Sequence, residues 1–285
     1  MVLGSKQLFR KVTIIGVGLM GGSLGKAIKK QGLAREVAGL SRKAASLSAA
    51  QKAGAIDMGT HDIKKAVANA DLVVLATPVS VVPKMFEMIA PHIRRNTIVT
   101  DVGSTKVSIV RAAGETLPNA SYFVGSHPLA GSEKRGAEHA DENLYRGAVC
   151  IMTPAEGANR QAVDRVKKLW SRVGSQVKIL PPEEHDEVLA AVSHVPHLLA
   201  YALMRYMPQN YLPFAAGGLK DTTRIAASSP QVWSDISLAN SRNILKSLDA
   251  VIEELSHLRR GIIEKDDKAL MQIFKTAQAK RNRIK

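Results

Sequence analysis

Three polar clusters in this 285-residue chain hold side chains suited to moving protons and gripping anions. Asp101-Val102-Gly103-Ser104-Thr105-Lys106 follows one apolar run, and Gly125-Ser126-His127-Pro128 follows another. Asp221-Thr222-Thr223-Arg224 sits in an apolar, glycine-led stretch. His127 is the natural acid–base candidate, because an imidazole titrates near neutral pH. Ser104 is placed to orient it or to bind substrate. An arginine held by a nearby aspartate, as in Asp221 and Arg224, suits a bidentate grip on a carboxylate. Ser193-His194-Val195-Pro196-His197 adds two histidines three apart, on one helix face. No cysteine cluster or carboxylate-rich motif accompanies them, so they read as polar groups facing a cleft, or as a hydrogen-bonded core histidine, and not as metal ligands. A Ser-His-Asp hydrolase built from Ser104, His127 and Asp101 would lack the G-x-S-x-G turn.

The chemistry that these residues serve is set by the N-terminal segment. An apolar strand runs into Gly16-Val17-Gly18-Leu19-Met20-Gly21-Gly22 and then into a helical pattern. This is G-x-G-x-x-G between a strand and a helix, the context in which it binds a dinucleotide. Gly16 permits the tight turn, Gly18 lets backbone approach a pyrophosphate, and Gly21 lets helix pack on strand. Leu19 and Met20 lie within that turn, Thr77 and Pro78 are expected as a wall beside the cofactor, and Asp101 as a further cofactor contact. About 20 residues beyond the fingerprint an acid would select NAD. Ser41-Arg42-Lys43 stands there instead, and a hydroxyl with two cations favours a 2′-phosphate. NADP is therefore the expected cofactor, with NAD the second choice.

Short β-rich runs at Val12–Val17, Val37–Leu40, Leu72–Ala76, Thr97–Thr100, Tyr122–Val124, Val149–Met152 and Val177–Leu180 alternate with helical stretches. That alternation predicts an α/β, doubly wound parallel sheet. After Pro181-Pro182 the β-rich runs stop and helical periodicity takes over. The expected division is residues 1–181 as a dinucleotide-binding domain and 182–285 as an all-α domain. Val188–Met207 reads as one apolar helix kinked at Pro196. So much apolar surface in so small a helical domain implies that two chains pack together.

Net charge is +15, from 40 Lys and Arg against 25 Asp and Glu. The first 60 residues carry ten cations and two acids, but aromatic content is 4% and no nucleic-acid-binding signature is present. Attraction of small anionic ligands explains the charge better than nucleic acid does. A single cysteine, Cys150, excludes an internal disulfide. With no leader-like start and no expected membrane span, the chain reads as cytoplasmic.

Five segments in this order resemble the prephenate/arogenate dehydrogenase family of tyrosine biosynthesis. They are the Gly16–Ser23 turn, Asp101–Lys106, Gly125–Glu133, Ser193–His197 and Gly217–Ala226. The resemblance implies a Rossmann-type sheet followed by a helical dimerisation domain. It implies oxidative decarboxylation of a cyclohexadienyl acid with hydride transfer to a nicotinamide. His127 would then bond the reacting hydroxyl, supported by Ser104, and Arg224 would bind a substrate carboxylate. Glu133, His194, His197 and Asp221 would belong to the substrate side of the cleft. Prephenate and arogenate both remain open. The alternative is a hydroxyacid-type dehydrogenase of the same architecture, for which Lys220 would be the catalytic lysine.

Overall fold

The computed structural model describes residues 7–132, 134 and 136–284. Its centre is one eight-stranded sheet. The strands are β1 (Phe9–Ile15), β2 (Ala34–Leu40), β3 (Met58–Thr60), β4 (Leu72–Leu75), β5 (Ile98–Asp101), β6 (Phe123–Pro128), β7 (Val149–Pro154) and β8 (Gln176–Ile179), in the order β3-β2-β1-β4-β5-β6-β7-β8. All four residues of β4 are buried, as a strand covered on both faces requires. Helices α1 (Leu19–Lys30), α2 (Ala44–Lys52) and α6 (Arg160–Arg172) cover one face around Ile14, Leu24 and Trp170. Helices α3 (Ile63–Val67), α4 (Val82–Ile89) and α5 (Val107–Thr116) cover the other. There Phe86 and Phe123 meet edge to face at 5.4 Å, and burying each ring stabilises the fold by about 1.5–3 kcal/mol.

The sheet departs from the expected parallel arrangement in one place. β6 and β7 are antiparallel, with His127 opposite Ile151 and Pro128 opposite Cys150. A parallel return needs a crossover helix, and the described residues between 129 and 148 form only irregular turns and a short 3-10 segment, Ala137–His139. β3, three residues long, has too short an apolar pattern to show in the sequence. β6 also continues beyond its expected end at Val124 through Pro128.

The C-terminal helices are α7 (Pro182–Leu189), α8 (Val195–Tyr206), α9 (Gly217–Thr223), α10 (Pro230–Ala239), α11 (Ser241–Glu264) and α12 (Asp267–Arg281). The single kinked helix expected over Val188–Met207 is instead the end of α7, a π turn at Ala190–His194, and α8. Pro196 lies in the first turn of α8, where its missing N–H is harmless. The whole run from Pro182 to Tyr206 is long and apolar enough to span a bilayer by length and composition, contrary to the expectation that no segment approaches that length. It carries His185, Asp186 and His194, all buried against the rest of the chain. α10 packs Trp233 and Ile236 into the core beneath β4 and β5. α11 buries only Ile244 and Gly261 along 24 residues and leaves Leu245, Ile252, Leu255 and Ile262 exposed.

The glycine turn separates structural from ligand-facing constraints. Gly16 has φ +96°, and a Cβ there would stand 2.5 Å from the Ala76 carbonyl oxygen. A Cβ on Gly18 would meet nothing within 4 Å. Gly16→Ala should therefore destabilise the fold by about 2 kcal/mol or more, whereas Gly18→Ala should cost about 1 kcal/mol or less. Urea midpoints of the two variants test this, and equal losses would contradict it.

Candidate active site

Strand order reverses between β1 and β4, so their carboxyl ends open a crevice where open α/β sheets bind ligands. A cleft of about 880 Å³ begins there and extends beneath the C-terminal helices. Gly18, Leu19, Met20, Thr77 and Pro78 line one end. Ser104, His127, His194, His197 and Arg224 line the other. Gly16 and Gly21 serve packing: a Cβ on Gly21 would stand 2.1 Å from the Gly16 carbonyl oxygen. Ser41, Arg42 and Lys43 form the turn after β2, outside the cleft wall, with both cations exposed. Glu133 lies outside the described residues.

Two expected placements are corrected. Asp101 is fully buried and does not line the cleft. It accepts hydrogen bonds from the Gly103 and Ser126 N–H groups and from the buried Lys106 ammonium. Asp221 is exposed, lies outside the cleft, and makes no ion pair with Arg224. Lys220 is likewise exposed and away from the cleft, which leaves the hydroxyacid alternative without its lysine.

The first end fits a dinucleotide. α1 starts at Gly18 with no side-chain cap and no acid in its first turn, leaving its N–H groups and positive pole for a phosphate. Thr77 Oγ1 is buried without a partner among the described residues, as expected of a group that completes its bonding with a ligand. At the turn after β2, the His61 Nδ1 lies 2.6 Å from the Ser41 carbonyl oxygen.

His127 owes its position to β6 outrunning β5. The ladder between them stops at Thr100 and Val124. Beyond it, Asp101 and Lys106 replace the missing strand: Asp101 accepts the Ser126 N–H at 3.1 Å and Lys106 Nζ donates to the Ser126 carbonyl at 3.0 Å. β7 holds the other edge. His127 thus projects from a backbone fixed on both sides.

Its ring belongs to a relay that sequence reasoning missed. His127 Nδ1 lies 2.9 Å from His185 Nε2, and His185 Nδ1 lies 2.8 Å from Asp186 Oδ1. Asp186 also accepts the Lys106 and Val107 N–H groups at 2.7 and 3.0 Å, at the start of α5. Both of its oxygens thus act as acceptors. A carboxylate only accepts, so His185 must carry its proton on Nδ1. Its Nε2 is then an acceptor, so His127 donates from Nδ1 and keeps a bare lone pair on Nε2. Ser104 lines the cleft beside it but makes no hydrogen bond to the ring. The adjacent pair His185-Asp186 was the available signal; only tertiary structure shows that both are buried.

Burial is the main force holding His127 well below its usual 6.5, reinforced by His185, Lys106 and His194. Burial also lowers His185, against the hydrogen bond that its Nδ1–H donates to Asp186. The same cause takes His194 to about 4. His197, stacked on Trp233 at 3.7 Å, is lowered by burial too. These rings are neutral in the fold at neutral pH but protonate once unfolded. The unfolded chain therefore binds more protons between the two sets of values, and stability present above pH 6.5 should fall as pH drops toward 4. Urea midpoints across that range check this; a midpoint that rose on acidification would contradict it.

Comparison with known proteins agrees with this geometry. Residues 24–179 match the family model described as prephenate dehydrogenase, nucleotide-binding domain, and residues 181–276 match prephenate dehydrogenase, dimerization domain. The chain is 38% identical over 279 residues to a prephenate dehydrogenase of Bacillus subtilis, covering 95% of this chain and 75% of that one. It is 35% identical to a cyclohexadienyl dehydrogenase of Zymomonas mobilis, covering 98% and 97%. The crystal structure of prephenate dehydrogenase from A. aeolicus, in complex with hydroxyphenyl propionate and NAD+, superposes with a TM-score of 0.90 at 33% identity and full coverage of both chains. With a glycine turn, a proton-accepting histidine at the sheet edge and both family domains matched, the chain belongs to the prephenate dehydrogenase family.

Proposed function

We propose that the chain catalyses NADP-preferring oxidative decarboxylation of prephenate or arogenate, as a cytoplasmic homodimer formed through the helical domain. The observation that carries this reading is the relay ending at His127, which offers an uncharged, proton-accepting Nε2 to a cleft that begins at a dinucleotide turn. A bound nicotinamide supplies the hydride acceptor. The protein's part is to hold the substrate and manage one proton. Nε2 of His127 accepts the hydroxyl proton as hydride leaves the same ring carbon and a carbonyl develops. Loss of the ring carboxylate as carbon dioxide sends its electron pair through the ring to that oxygen, which recovers the proton as the phenol. Arg224 grips a substrate carboxylate, and Ser104 contacts substrate or nicotinamide beside His127.

NADP preference is supported by the turn after β2. Arg42 and Lys43 are exposed and carry no ion pair among the described residues, so both are available to a 2′-phosphate. Dimerisation is supported by the family of the helical domain and by the exposed apolar side chains of α11.

The test is the initial rate of nicotinamide reduction with prephenate and with arogenate, each against NADP and NAD. Turnover of at least one substrate is expected, faster with NADP, and His127→Asn should lower kcat by about 10²–10⁴. Silence with all four pairs would overturn the reading. Arg42→Asp should lower the NADP-to-NAD ratio of kcat/KM by about tenfold or more. An unmoved ratio would mean that the basic turn does not select the cofactor.

A further inference from the structure

Asn240 joins α10 to α11 and is buried, at 4% exposure. Its amide has one possible orientation. Nδ2 lies 2.7 Å from the Asp186 carbonyl oxygen, which can only accept, and Oδ1 accepts from Asn243 Nδ2 at 2.9 Å. The second N–H of Nδ2 is left for His194 Nδ1, 3.2 Å away. That nitrogen must therefore hold the lone pair, and the proton of the neutral ring must sit on Nε2.

Nε2 of His194 is buried and makes no hydrogen bond of good geometry among the described residues, although the backbone of Ser104 is near enough to act on the ring. The residue lines the cleft. Trp233 packs against the ring edge on, 6.1 Å between centroids, and holds its plane. An N–H whose one polar neighbour, the Ser104 backbone, is poorly aligned is incompletely paired in such a place, and an oxygen of a bound molecule completes its bonding. The two cleft histidines are thus set oppositely. His185 and Asp186 leave His127 an acceptor, and Asn240 makes His194 a donor.

We propose that Asn240 is a positioning residue that fixes His194 as the Nε2–H tautomer, so that His194 donates a hydrogen bond to a carboxylate oxygen of the substrate. The choice of a carboxylate rests on the substrate class proposed above; the tautomer does not. A neutral donor adds to the grip of Arg224 on an anionic molecule without adding a positive charge beside His127, which would oppose the uptake of a proton by its Nε2.

The experiment uses the full chain with ¹⁵N-labelled histidine, with His194 assigned through His194→Gln. Long-range ¹H–¹⁵N spectra at neutral pH should show His194 protonated at Nε2 and bare at Nδ1, and the reverse would overturn the tautomer assignment. Addition of hydroxyphenyl propionate should move the Nε2–H proton downfield, and an unmoved signal in the saturated protein would overturn the carboxylate contact. Asn240→Leu removes the amide donor and Asn240→Asp replaces it with an acceptor. Each should raise substrate KM about tenfold with kcat and the NADP KM nearly unchanged. A fall in kcat at constant KM would overturn the binding role. The spectra on the unsubstituted chain stand even where a variant fails to fold. Expected spectra with no turnover of prephenate or arogenate would reject the substrate reading and leave the tautomer intact.

Discussion

One carboxylate, that of Asp186, ties the two halves of the molecule to the proton chemistry. It closes the N-terminus of α5 by accepting the Lys106 and Val107 N–H groups, and it anchors His185 on the same oxygen that Lys106 reaches. Its own carbonyl takes the Asn240 amide. A group on α7 is thereby locked to the sheet domain, through His185 to His127, and to the α10–α11 junction together. The start of α5 is the right neighbour, because unpaired N–H groups and the helix pole both stabilise a negative charge. The direction of every proton in the relay follows from that charge.

A second buried charge pair does mechanical work. Asp101 and Lys106 stand where β5 would have continued, and together they bond the Ser126 N–H and carbonyl just before His127. A buried ion pair is weak evidence of stability, since desolvation opposes the attraction. Here its hydrogen bonds substitute for one ladder step and allow a strand end to project into a cleft. The +15 charge of the chain acts differently. Surface cations draw anions by long-range attraction, while the cleft histidines His127 and His194 are kept uncharged by burial.

The glycine turn and the sheet were legible because they rest on local rules. Gly16 to Gly21 follow an apolar strand, and the polar clusters at Ser104 and His127 follow others; ligands gather at carboxyl ends of strands. What sequence did not reveal depends on distant partners. The reversal of β7 is set by a connection too irregular to read. Asp101 and Asp221 look alike as acids beside cations, yet one is fully buried and the other exposed. The adjacent pair His185-Asp186 is visible in sequence, but helical periodicity does not tell that both side chains are buried. The sequence predicts a kink at Pro196, whereas the helix yields before the proline, in the π turn at Ala190–His194, and resumes at it.

The contrast between the turn after β2 and the histidine network bears on how such a protein can change through descent. Arg42 and Lys43 are exposed on the turn, so their side chains can be replaced one at a time with little effect on folding. His127, His185, Asp186, His194 and Asn240 specify one another's protons across four elements. A change at any one strands a buried donor or acceptor elsewhere. The scaffold thus leaves its solvent-facing turn free to vary while the buried network resists change.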